Sequence, residues 1–157
     1  MKRKIPAVIV LIMIFILISR PSAGQRMTYN AWLPLVKNNF CSPEIRFTFV
    51  PPLGSFENLR GEVNCVRPAN FKVAVYLSVN NGWWTKPYWN QPLTTINSDG
   101  SWSCDITTGG VDQWATELTV FLIPNGYSPP LMAGGQNLPP ELFQKAVIWA
   151  NVNRTGR

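Results

Sequence analysis

Histidine is absent from all 157 residues. That excludes a Ser-His-Asp or Cys-His catalytic set and a His-ligated zinc site, and it removes the usual general base near neutral pH. Any catalysis would fall to Asp, Glu, Lys, Tyr or Cys. Charge is also sparse, with 14 basic and 8 acidic residues. Four of the basic ones, Lys2, Arg3, Lys4 and Arg20, precede position 25 with no acid among them, which leaves ten against eight elsewhere. So near a balance offers no concentrated basic face and argues against nucleic-acid binding. There is no internal repeat, and the length suits one domain.

Long apolar runs are lacking except for one. Ile5 to Ile18 is unbroken, preceded by Met1-Lys2-Arg3-Lys4 and followed by Pro21 and the small residues Ser22-Ala23-Gly24. This three-part pattern is that of a secretory signal peptide, residues 1–24, cleaved after Ala23 or Gly24. As a helix the run would span ~21 Å, short of the ~30 Å hydrocarbon core. Membrane association is therefore expected only if the segment is left uncleaved, and the product is expected to be secreted or held at the cell surface. Residues 25–43 show no sustained period and read as a linker with an apolar knot at Trp32-Leu33-Pro34-Leu35-Val36.

From residue 44 to 154 the chain reads as one all-β domain. Short runs rich in β-branched and aromatic residues are separated by Pro, Gly and Asn clusters. Phe71 to Val79 alternates over nine residues and predicts a central, half-buried strand, closed by Asn80-Asn81-Gly82, which tolerate positive φ. Asp99-Gly100, between Leu93–Ser98 and Ser101–Thr107, predicts a hairpin with a two-residue type I′ turn. Thr116–Ile123 and Ala146–Val152 are further strands, and Pro140–Lys145 suggests a short helix with Pro in its first turn. Seven or eight strands in roughly 110 residues predict an Ig-like two-sheet sandwich.

Cysteine is scarce as well, with three in an expected exported chain, so one is left over. Alternation puts Cys65 and Cys104 on inward faces of different strands, where a bridge between them would staple the sandwich, or both could be small buried hydrophobes. Cys41 could pair with another chain or with either of these. Without histidine or a Cys-x-x-Cys, no metal site is expected, and no cofactor is implied.

What the chain has in abundance is tryptophan, seven in all, four of them between Gly82 and Gly110. Trp83, Trp84, Tyr88 and Trp89 are the candidate ligand-binding aromatics. Pyranose rings carry an apolar C–H face that docks on flat aromatic rings, while neighbouring amides and charges catch hydroxyls. Lys86, Asn90 and Gln91 are such neighbours. Consecutive tryptophans on a strand face opposite ways, so at most one of Trp83 and Trp84 is core. Alternatively the cluster roofs the sandwich and the chain is a structural or protein-interaction module of the cell surface. A carboxylate pair could in principle hydrolyse a glycosidic bond, but Asp99 belongs to its turn, and Asp105 and Asp112 bracket a glycine loop where carboxylates accept backbone N–H bonds. No catalytic residue is assigned.

The elements Trp84-Thr85-Lys86-Pro87-Tyr88, Asp99-Gly100-Ser101-Trp102, Cys104-Asp105-Ile106-Thr107-Thr108-Gly109-Gly110, Asp112, Ala115-Thr116 and Asn125-Gly126-Tyr127 together resemble a small accessory domain of exported bacterial proteins. Domains of this kind are β-sandwich modules, some appended to glycoside hydrolases. The resemblance spans about Pro43 to Arg154. It implies an exported, non-catalytic sandwich whose partner is a glycan or a surface protein.

Overall fold

The computed structural model describes residues 41–154. The expected signal peptide, and the expected linker up to residue 40, lie outside the described residues. Among these residues nine strands appear in chain order: β1 Glu44–Phe49, β2 Leu59–Asn64, β3 Phe71–Val79, β4 Gly82–Lys86, β5 Leu93–Thr95, β6 Ser101–Cys104, β7 Glu117–Pro124, β8 Ala133–Gly135 and β9 Ile148–Asn153. Among the described residues one α-helix, α1 Pro140–Lys145, lies between β8 and β9. All strand pairs are antiparallel. The strands form two sheets, β1-β2-β6 and β8-β4-β3-β7-β9, with β5 also pairing on β3. The protein is an all-β sandwich, and the orders β1-β2-β6 and β4-β3-β7-β9 correspond to A-B-E and C′-C-F-G of the immunoglobulin-like arrangement.

The core follows from the period-2 pattern. On β3, Val73, Val75 and Leu77 point between the sheets with Leu118, Val120 and Leu122 of β7, and meet Leu59, Trp102, Cys104 and Ile106 from the small-sheet side. All are buried, and each fully buried aliphatic side chain contributes about 1.5–3 kcal/mol. The alternate residues of β3 and β7 form a second core on the outer face, where Ala74, Tyr76, Phe121 and Ile123 pack with Met132 and Leu142 of α1. Burial on both faces explains why β7 reads as a continuous apolar run. Gly61 is fixed by contact, since a Cβ there would overlap the Trp102 ring and the Arg46 carbonyl.

The turns depart from expectation in an instructive way. The two-residue hairpin lies at Asn80-Asn81, both with positive φ (51° and 60°) and flanked by the Val79–Gly82 pair, as a type I′ turn requires. At Asp99-Gly100 the expected type I′ turn is absent, because only Gly100 has positive φ. Gly100 N–H donates to Asn97 O and Asn97 N–H to Ser101 O, the geometry of a three-residue loop with a glycine bulge. The flanking strands do not ladder together beyond the Ile96–Trp102 bridge; β5 pairs with β3 and β6 with β2, so this loop carries the chain from one sheet to the other.

Of the open cysteine pairings, the Cys65–Cys104 bridge is not formed. Cys65 is bonded to Cys41, with Cα atoms 5.3 Å apart, and Cys104 is a buried free thiol. The reason is local. β2 ends at Asn64, and Cys65 takes φ +63°, which breaks the alternation and leaves it exposed.

Candidate functional site

β4 is the strand that distributes the candidate aromatics. Its register on β3 sets Trp84 opposite Leu77 and Lys86 opposite Val75, on the inner face, while Trp83 opposite Ser78 and Thr85 opposite Tyr76 take the outer face. Trp83 and Trp84 therefore do not share a platform. The small sheet does not cover the inner face of β4. The segment from Ile106 to Ala115 passes there instead, leaving a cleft of about 340 Å³ bounded by Trp84, Lys86, Asn80, Gly110 and Asp112.

The polar end of this cleft is tightly organised. Lys86 Nζ makes a buried ion pair with Asp112 Oδ2 and donates to Thr108 Oγ1 at 3.1 Å. Asp112 Oδ2 also accepts the Gly109 N–H at 2.8 Å, and Thr108 Oγ1 donates to Pro87 O at 2.5 Å. The pair therefore ties the root of the 87–92 loop to the glycine loop. It adds no net charge to the cleft. Gly109 and Gly110 line the mouth, and a Cβ on either would meet no atom within 4 Å. Packing within the chain thus makes no demand on the space in front of them. Gly110 alone has a conformational need, at φ +56°.

After Lys86 the chain leaves the sheet edge through a cis Lys86–Pro87 peptide and returns at Leu93, which pairs with Ala74 next to Val75 on β3. The excursion is closed by the Tyr88–Gln91 bridge and presents Tyr88, Trp89, Asn90 and Gln91 to solvent. Trp84, Tyr88 and Trp89 are 37%, 50% and 54% exposed. Of the seven residues expected to bind ligand, then, Trp84 and Lys86 line the inner cleft. Tyr88, Trp89, Asn90 and Gln91 stand on the adjoining loop, and Trp83 belongs to the opposite face.

Trp83 instead borders a second groove, about 440 Å³, on the outer face. Its other walls include Phe143, Trp149 and Leu138, with Glu117, Thr119 and Asn151 among its polar groups. Asn80 and these outer residues are contributors that motif reading does not assign to a site, while Asp112, read as a carboxylate bracketing the glycine loop, gains its ion pair with Lys86 only in the fold. For Trp149 a signal exists, since it stands on the polar phase of the alternating run Ile148 to Asn153. The carboxylates behave as expected. Asp105 Oδ1 accepts Thr107 N–H at 2.9 Å, and Asp99 Oδ1 accepts Ser101 N–H at 2.9 Å, with the Ser101 bonds holding Asp99 below its ordinary pKa. Among the described residues no group of three or more His, Cys, Asp or Glu is placed to hold a metal ion, and no helix is long and apolar enough to cross a membrane. No known protein family, curated protein or solved structure matches the chain.

Proposed function

We propose that the chain is an exported, non-catalytic binding module for a glycan or cell-envelope polysaccharide, with the inner cleft at Trp84 as its primary site. The observation that carries this reading is the exposure of Trp84 beside a cleft whose polar end is held rigid by Lys86, Asp112 and Thr108. A sugar ring stacks its C–H face on Trp84, and its hydroxyls meet the Asn80 amide and the backbone of Gly109 and Gly110. Tyr88 and Trp89 extend the aromatic surface along the chain of a longer ligand. The same geometry argues against hydrolysis, because Asp105 and Asp112 are committed to local hydrogen bonds and the Lys86 ion pair. The exposed aromatics also weigh against a role for the 84–89 cluster as roof of the core.

The test is a polysaccharide pull-down and oligosaccharide titration with wild type, Trp84→Ala and Gly109→Ala, folding being checked by circular dichroism. Loss of one stacking partner weakens binding about tenfold, equivalent to ~1.4 kcal/mol. Gly109→Ala obstructs the mouth without touching the fold. Binding that is indifferent to both substitutions would remove the inner cleft from consideration.

A further inference from the structure

The outer groove has the makings of a ligand site in its own right. Sheet register builds its floor: Glu117 and Thr119 are successive outward residues of β7, and Asn151 lies opposite Thr119 on β9. The Asn151 amide is oriented without ambiguity, because a carboxylate can only accept. Its Nδ2 donates to Glu117 Oε1 at 2.7 Å and to Thr119 Oγ1 at 2.8 Å. Both amide hydrogens are thereby used. Asn151 Oδ1 and Glu117 Oε2 are left as acceptors with no donor among the described residues. Fixed acceptors of this kind complement hydroxyl donors.

The walls complement something else. Phe143 and Trp149 stand edge to face with centroids 5.3 Å apart, and the stack continues through Phe121 to Tyr76. Despite that support, Phe143 and Trp149 remain 41% and 48% exposed. Trp83 bounds the groove from β4, three strand spacings from β9, or about 14 Å between backbones. A single pyranose does not bridge that span, whereas a short oligosaccharide does. Among the described residues Glu117 is the one charged side chain on the groove wall, so a uronate or a sulfated sugar would be repelled there.

We infer that this groove is a second, independent site for a neutral oligosaccharide, which stacks on Trp149 and Trp83 and donates hydroxyl hydrogens to Glu117 and Asn151. It rests on the glycan-binding reading only for the ligand class; its residues are separate from those of the inner cleft. With one site on each face of the large sheet, one chain would hold two glycan strands, and binding to an insoluble polysaccharide would gain by avidity.

The experiment is isothermal titration of the full chain with cellohexaose, xylohexaose, mannohexaose and chitohexaose, using wild type, Trp84→Ala, Trp149→Ala and Glu117→Gln. The last keeps an acceptor for Asn151 but replaces the free carboxylate oxygen with a donor. The expected result is two sites on wild type for at least one sugar. Trp149→Ala leaves one site, Glu117→Gln weakens that same site about tenfold or more, and Trp84→Ala leaves the complementary one. A single site abolished by Trp84→Ala and untouched by Trp149→Ala overturns the outer site alone. A single site with the opposite dependence supports the outer groove and overturns the inner one. Binding of none of the four sugars by the wild type overturns both.

Discussion

Arg154 is the perturbation that best tests how the inner cleft is held. Its guanidinium is buried, has no carboxylate partner among the described residues and is surrounded by main-chain oxygens. Nε donates to Pro51 O at 2.9 Å, Nη1 to Ala115 O at 3.1 Å, and Nη2 to Pro52 O at 2.6 Å and Gln113 O at 3.3 Å. Its own N–H bonds Thr116 O at 2.7 Å. Burial draws its pKa below the ordinary arginine range, so desolvation opposes the hydrogen bonds and the net is smaller than their sum. Hydrogen bonds to a charged group contribute ~1.5–3 kcal/mol each before that offset, and a buried carbonyl left unpaired costs ~1–3 kcal/mol. Two of the four carbonyls are at shielded positions, Pro51 and Ala115. Arg154→Ala should therefore destabilise the domain by roughly 3–4 kcal/mol, a fall in Tm of order 10–20 °C for a domain of this size. Arg154→Lys should lie between, since one ammonium cannot reach four carbonyls spread around a planar fork. Thermal and urea unfolding give the totals. Hydrogen exchange should show the added loss concentrated at 113–116, the stretch that follows Asp112. If Arg154→Ala stayed within about 1 kcal/mol of wild type, the guanidinium would not be what holds these four carbonyls.

Two further outcomes follow from the fold. Gly61→Ala places a methyl group into the Trp102 ring and the Arg46 carbonyl, and overpacking of this kind should cost about 2–3 kcal/mol; urea unfolding with an unchanged midpoint would contradict the contact. In the native protein, iodoacetamide should label none of the three cysteines, because Cys41 and Cys65 are bonded and burial pushes the Cys104 thiol up to about 12. Mild reduction should expose Cys41 and Cys65 alone and lower stability by ~3 kcal/mol for a loop of this length, and a peptide map showing Cys65 joined to Cys104 would refute the pairing.

What could be read from the sequence was local. Phe71–Val79, the Asn80-Asn81 turn and helix Pro140–Lys145 each declare themselves through a nine-residue alternation, a positive-φ pair or a first-turn proline. Inward Trp102, Cys104 and Ile106 follow from the same alternation. The opposed faces of Trp83 and Trp84 follow from strand geometry alone. What could not be read was partner choice. Nothing in Leu93–Thr95 says that it joins β3 while Ser101–Cys104 joins β2, because ladder partners are fixed by distant packing. Ala133–Gly135 carries too little side chain to show a pattern at all. Cysteine pairing turned on one residue's φ at Cys65, and the burial of Lys86 on Asp112, a residue 26 positions away. Lys86, expected to meet a ligand, also holds the cleft wall through its ion pair with Asp112.

The Asn80-Asn81 turn has a consequence for how such a protein can change. Because it has only two residues and both are left-handed, it sets the phase with which β4 meets β3. Lengthening it by a single residue would slide β4 by one position, carrying Trp83 into the inner cleft and Trp84 onto the outer face. The two tryptophans are chemically identical, so each cavity would keep its indole while every other β4 side chain changed sides, Lys86 among them. The turn thus acts as a parity bit for the whole edge strand. Insertions there should be tolerated in pairs or not at all.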